Sequence, residues 1–260
     1  MEKFINEKVV VYISKFTNTK VIKALKDGMM FSLPFLMIGS LFLLIANLPI
    51  KSLNTLVAEC GLADICSQVY SSTFSLMALF TVVGITYSYL KNDKISTAVN
   101  GALTGLAAFV LLTPSSKVLE NGEAVTGVIS KDWTAGQGMI CAILIGFLVG
   151  YIYSLCIRKD IRVKMPEGVP PGVADSFSSL LPTGIITIVC AIIYAVCHFV
   201  FKTTFAELIY SAIQIPLQGV TDSFAGVVIM TVMMSLLWWT GVHGGSICGG
   251  ILSPILQANM

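Results

Sequence analysis

The sequence has 260 residues, of which 55% are hydrophobic and only 12% charged, with a formal net charge of +2 and a mean hydropathy of +0.85. Soluble globular domains carry about 25% charged residues, so this composition excludes an ordinary soluble enzyme. A balance so close to neutral also argues against a nucleic-acid partner.

Residues 1–27 are polar enough to stay out of a bilayer, yet Ile5, Val9, Tyr12, Ile13 and Phe16 recur at helical spacing with Lys8 and Lys15 on another face. The pattern predicts an amphipathic helix with a basic side, lying on the membrane surface or on the protein's own cytoplasmic face. Charge-free runs then follow at Gly28–Ile50, Ile65–Leu90, Ile95–Ser116, Trp133–Ile157 and Ser176–Phe201, and from Ser223 to Met260. A spanning helix needs about 20 mainly apolar residues, and the first five runs all reach that length. We therefore expect an all-α protein crossing the membrane about six times. The first run starts at Gly28 and is longer than a signal-peptide core, so no cleavable signal is expected.

Between the third and fourth runs, Val118–Ile129 carries two short apolar stretches around Asn121-Gly122. That pair tolerates the positive φ of a tight turn, which predicts a small external β-hairpin. Arg162–Phe177 contains Pro166, Pro170 and Pro171, so the helix from Trp133 must stop before them, with Asp175 or Ser176 expected to cap the next. Thr203–Gln218 is too short and too interrupted, at Pro216, for a clean span, and Asp222-Ser223 offers a cap for the last helix, which is expected to run to about Trp239. Threading from an inside N-terminus places twelve of the 16 Lys and Arg residues inside and only Lys51, Lys117, Lys131 and Lys202 outside. Basic loops tend to stay cytoplasmic, so the N-terminus is expected inside.

The seven cysteines (Cys60, Cys66, Cys141, Cys156, Cys190, Cys197, Cys248) form no CxxC pair and no Cys/His ligand spacing. Neither a metal nor any other cofactor is called for. Walker A, GxSxG, HExxH and dinucleotide fingerprints are all absent, so no common enzyme motif is present. The densest cluster of unusual residues is Trp238–Ser246, W-W-T-G-V-H-G-G-S. An ionisable group inside a membrane is costly unless paired or hydrated, which makes His243 a site candidate. The glycines beside it, Gly244 among them, let the chain unwind, and irregular backbone at that depth must line a cavity or be buried in protein. Trp238 offers a flat wall for a sugar ring, although tryptophans also serve as interfacial anchors. Gln214 and Gln218, flanking Pro216, are expected to be solvated and are weaker candidates. His198 is read as interfacial, and Lys91 and Asp93 as members of a short solvated loop.

Two stretches carry a likeness. I-R-V-K-M-P-E-G-V-P-P-G-V-A-D-S-F (Ile161–Phe177) and L-W-W-T-G-V-H-G-G (Leu237–Gly245), with L-S-P-I-L (Leu252–Leu256), resemble the IIC membrane component of bacterial phosphotransferase-system sugar permeases, in the lactose/cellobiose/diacetylchitobiose branch. The likeness runs over essentially the whole chain. It implies binding of a β-linked disaccharide and its presentation to a cytoplasmic IIB partner, itself served by IIA, for phosphorylation. It further implies a homodimer in the bacterial cytoplasmic membrane, with residues 28–201 forming the interface and 202–260 beginning the substrate domain. His243 would sit near the phosphoryl-accepting hydroxyl, with Trp238 and Gly244 in the sugar site. Lys91 lies near a basic position of such proteins. Members of that family run well beyond 400 residues and carry an Asn-Glu-Pro glutamate that partners the histidine. No Asn-Glu-Pro occurs in this sequence. Transport by this stretch alone is therefore not expected, and the competing reading is a truncated, non-transporting membrane module that associates with a full-length relative.

Overall fold

The computed structural model describes residues 19–48, 51–119, 122–166, 168–216 and 223–239. In chain order the helices are α1 (Lys20–Met30), α2 (Leu33–Ala46), α3 (Lys51–Glu59), α4 (Leu62–Thr73), α5 (Met77–Asn92), α6 (Ala98–Leu112), α7 (Lys131–Thr134), α8 (Met139–Arg158), α9 (Pro171–Ser178), α10 (Leu180–Val196), α11 (Phe205–Ile209) and α12 (Phe224–Trp239). Among the described residues, four helical stretches are long and apolar enough to cross a membrane: Lys20–Ala46, Leu62–Asn92, Gly136–Arg158 and Pro171–Phe201. Ala98–Leu112 and Phe224–Ser235 are shorter apolar helices. Each of the first five expected apolar runs, and the described part of the sixth, thus corresponds to a helical stretch, and the protein is a multi-span helical membrane protein.

The first stretch begins earlier than the charge pattern suggests. Helix α1 runs from Lys20 through Gly28 to Met30, so the start of the charge-free run falls inside a helix. The expected amphipathic residues Ile5 to Phe16 lie outside the described residues. A turn at Phe31-Ser32 leads into α2, where the Ser32 hydroxyl donates to Met29 O at 2.7 Å. Pro34 is accommodated in the first turn of α2, since amides there need no intrahelical acceptor.

Helix α5 occupies the centre, packed against α1, α6 and α8, with α10 laid on α6 and α8 and with α2 on α4. Val82, Ile85 and Leu90 of α5, Phe109 and Leu112 of α6, and Ile145, Val149 and Tyr153 of α8 form the buried core. Helices α1 and α5 cross with their backbones in contact. A Cβ placed on Gly84 would lie 2.3 Å from Gly28 O, so the two backbones touch and only glycine fits. In lipid, where apolar surface gains little by leaving the solvent, such close packing is a main source of helix association. Polar pairs supply another. Asn100 Nδ2 donates to Ser179 Oγ at 2.8 Å, and the Thr104 and Thr183 hydroxyls meet at 2.9 Å, joining α6 to the start of α10. Outward faces stay apolar, as lipid requires: Met37, Leu41 and Leu44 on α2, Ile188 and Ile192 on α10.

The expected hairpin is present. Strand β1 (Ser116–Val118) pairs antiparallel with β2 (Ala124–Thr126), Lys117 opposite Val125. Gly122 N–H donates to Leu119 O at 2.9 Å with φ of 84°, the left-handed geometry for which glycine was expected. In the proline connector α8 stops at Arg158, as required. The cap of the next helix, however, is not Asp175 or Ser176. Helix α9 starts at Pro171, with Pro170 as the capping residue, because proline's fixed φ and missing N–H suit the first helical position. Asp175 and Ser176 sit inside that helix.

Candidate functional site

The last described helix, α12, opens where the sequence suggests: Ser223 precedes it, and its hydroxyl accepts from Gly226 N–H at 3.0 Å. Its backbone runs to Trp239, so Trp238 lies in its final turn. The Trp238 side chain, and His243, Gly244 and Gln218 entirely, lie outside the described part of the structure. The two remaining candidates, Gln214 and Lys91, are both described, and they sit far apart. Gln214 contacts Gly136, at the start of the α8 stretch, whereas Lys91 is two residues from Asp93, which pairs with Arg158 at the other end. At 1.5 Å per residue the 20-residue α8 separates them by about 30 Å. They do not belong to one site.

Gln214 is fully buried rather than solvated, which corrects the sequence expectation. The cause lies at the head of α8. Helix α7 ends at Thr134, a short 3-10 turn follows at Gly136–Gly138, and only then does the long helix begin. Such a break exposes backbone carbonyls that lipid cannot satisfy. Gln214 Nε2 reaches across and donates to Gly136 O at 2.9 Å. Gln214 Oε1 is buried and meets no donor among the described residues. Trp133, just before the break, meets Tyr210 edge-on, with ring centroids 5.7 Å apart, so the 205–216 segment is held to the break by an aromatic contact as well.

Around this end a polar cleft of about 450 Å³ opens between the hairpin, α7 and the α10–α11 junction. Thr204 and Glu207 form a reciprocal capping box at the head of α11, and Glu207 Oε2 accepts from Thr204 N, Thr204 Oγ1 and Thr203 Oγ1, each at 2.9 Å. Burial pushes the Glu207 carboxyl up, but these donors outweigh it and hold it below its usual range. Asp132 accepts from Ser130 at 2.5 Å and from Lys117 at 3.1 Å, which keep it ionised to lower pH than usual. His198 lines the same cleft, parallel to Tyr194 with centroids 5.9 Å apart.

The opposite end is dominated by cations, with one acid at its centre. Asp93 accepts from Lys20, Ser154 and Arg158, the last at 2.7 Å, and its side chain is only 6% exposed. It is a buried hub tying α1 and α8 to the α5–α6 loop, not a solvated loop residue. Burial raises its pKa, yet hydrogen bonds from Lys20 and Ser154 and the charges of Lys20 and Arg158 bring it below the usual value. A sequence signal existed: Asp93 is the only acid in K-N-D-K (Lys91–Lys94). Lys91 itself is exposed, its ammonium 5.5 Å from the Tyr87 ring centroid. Among the described residues no group of three or more His, Cys, Asp or Glu could hold a metal.

Residues 26–260 match the family model described as "Phosphotransferase system, EIIC". The chain is 34% identical over 254 residues to the PTS system oligo-beta-mannoside-specific EIIC component of Bacillus subtilis (strain 168), covering 96% of this chain and 57% of that protein. It is 31% identical over 267 residues to the PTS system cellobiose-specific EIIC component of Geobacillus stearothermophilus, covering 98% and 59%. Among solved structures it resembles the transporter ChbC, the IIC component from the N,N'-diacetylchitobiose-specific phosphotransferase system, with a TM-score of 0.90 and 31% identity over 97% of this chain and 60% of that one. The chain therefore spans less than two thirds of the length of these relatives.

Proposed function

Because this chain belongs to the EIIC family of the phosphotransferase system, we propose that it serves in the uptake of a β-linked disaccharide, of cellobiose, diacetylchitobiose or lactose type, and presents it to IIB for phosphorylation. The observation that carries this reading is the match of 97% of this chain to 60% of a solved transporter of that system at 31% identity. His243 is assigned to the sugar, beside the hydroxyl that accepts the phosphoryl group, with Trp238 and Gly244 completing that wall. A histidine there hydrogen-bonds and orients the accepting hydroxyl. As that oxygen bonds to phosphorus, the bond from phosphorus to the phosphocysteine sulfur of IIB breaks and the thiolate leaves. The hydroxyl proton goes to the acid/base, a role that the resemblance assigns to the Asn-Glu-Pro glutamate of longer members. The product carries a phosphate dianion, and the cost of taking such charge through hydrocarbon keeps it inside.

Residues 28–201 are proposed as the dimer-forming domain and 202–260 as the start of the substrate domain, with 1–27 on the cytoplasmic face. The location is the bacterial cytoplasmic membrane with the N-terminus inside. Clustering of Lys20, Lys91, Lys94, Arg158 and Lys159 at one end, against Lys117, Lys131 and Lys202 at the other, supports this orientation.

The test is uptake of radiolabelled cellobiose by cells lacking their own β-glucoside transport and expressing IIA, IIB and this chain continued by the remaining part of a full-length relative. Phosphorylated disaccharide should accumulate, and His243→Ala should lower it by about tenfold or more through loss of a hydrogen bond to the sugar. Accumulation unaffected by His243→Ala would overturn the assignment. Accumulation only when a longer relative is co-expressed would support the alternative, a non-transporting module.

A further inference from the structure

A second feature is independent of which sugar is carried. Near the cation-rich end, an almost wholly apolar groove of about 360 Å³ runs between the start of α2, α5 and the start of α6, its wall residues Phe31, Phe35, Val99 and Leu103 exposed among the described residues. Its walls are Phe31 and Phe35, Phe80 and Tyr87, and Val99 and Leu103. The aromatic rings are mutually braced: Phe35 stacks on Phe80 at 4.3 Å between centroids, and Phe31 meets Tyr87 edge-on at 5.6 Å. The groove is therefore pre-shaped.

Its mouth carries a charge. Phe80, Gly84, Tyr87 and Lys91 follow one stripe along α5, and from Phe80 to Lys91 the helix rises about 16 Å. The Lys91 ammonium stands 5.5 Å from the Tyr87 ring centroid, is exposed, and makes no ion pair among the described residues. An apolar slot at membrane depth with a cation at its interfacial end asks for an amphiphile with an anionic head. A soluble anion would leave the slot unfilled, and a zwitterionic lipid would leave Lys91 without net counter-charge. A second copy of the chain, bound through the proposed dimer-forming domain of residues 28–201, would cover the apolar walls but supplies no anionic head for Lys91; it is the competing outcome of the test below.

We propose that this groove binds one acyl chain of an anionic phospholipid, whose phosphate pairs with Lys91. The proposal gives Lys91 a role on the protein's lipid face, separate from the sugar site.

The test is native mass spectrometry of the full chain released from nanodiscs containing equal phosphatidylglycerol and phosphatidylcholine of matched acyl chains. Phosphatidylglycerol should be retained about fivefold over phosphatidylcholine, the scale expected for one basic side chain at a membrane surface. Lys91→Gln should abolish that preference and Lys91→Arg keep it, while Val99→Trp, which fills the slot from an exposed wall position, should lower retention of both lipids. Equal retention of both lipids by the unaltered chain, or a preference unmoved by Lys91→Gln, overturns the proposal. So would displacement by glycerol phosphate, which has the anion but no acyl chain. A dimer that Val99→Trp dissociates without changing lipid retention would instead show the groove to be a contact between copies.

Discussion

Asp93→Asn removes the charge at the hub of α1, α8 and the α5–α6 loop while preserving its shape. The three contacts contribute unequally. Arg158 is 62% exposed, and a pair with so solvated a partner contributes at most about 1 kcal/mol. Lys20 is 30% exposed and Ser154 is buried, so their bonds to a nearly buried carboxylate hold most of the energy, about 1.5–3 kcal/mol for hydrogen bonds to a charged group. A loss of about 2–3 kcal/mol is expected. At about 2–4 °C per kcal/mol for a chain of this size, the melting midpoint should fall by roughly 5–10 °C. A thiol-reactive dye reads this directly, since Cys66, Cys141, Cys156, Cys190 and Cys197 are free and buried in the folded state. The pH dependence supplies a sharper criterion. The Asp93 carboxyl is held below its usual 3.8, so its contribution is present above that value and is lost as pH falls through the lower, folded-state value. The gap between the unaltered chain and Asp93→Asn should thus be full at pH 7 and close under strong acid. A gap that does not change with pH, or a Lys20→Met/Asp93→Asn pair whose effects simply add, would refute the hub.

Gln214→Leu removes one of the two donors to the Gly136 carbonyl, which keeps the Met139 N–H, and also removes the buried Gln214 Oε1, unpaired among the described residues, so it should cost at most about 1 kcal/mol in the same melt; Gln214→Asn, too short to span the gap and leaving a buried amide without its bond, should cost more. Gly84→Ala places a Cβ 2.3 Å from Gly28 O and should abolish folded protein in detergent, whereas Gly146→Ala, whose nearest contacts are Ile85 side-chain atoms at 3.1 Å, should lower the midpoint only slightly. Gly122→Ala strains a residue at φ 84° with no neighbour within 4 Å of the new Cβ, so proteolysis at the hairpin should rise while the melting midpoint stays within about 2 °C.

What the amino-acid sequence determined by itself were properties local to one segment. A charge-free run of about 20 residues has few places to go but lipid, which is why the runs beginning at Gly28, Ile65, Ile95, Trp133 and Ser176 all correspond to helices. Gly122 was legible because positive φ is a property of one residue, and the proline connector because Pro166, Pro170 and Pro171 stop a helix wherever they stand. The same local logic misplaced the cap before α9, where a proline at the first helical position competes with the polar residues that follow it. Only the tertiary structure decided which polar groups meet. Lys20 reaches Asp93 across 73 residues, and Gln214 reaches Gly136 across 78. An amide beside a proline looks solvated until the broken helix whose carbonyl accepts from it is packed against it. An aspartate in a basic loop looks exposed until α1 and α8 close over it. The cost of an unsatisfied polar group is set by its surroundings, and those are supplied by segments far away in the chain.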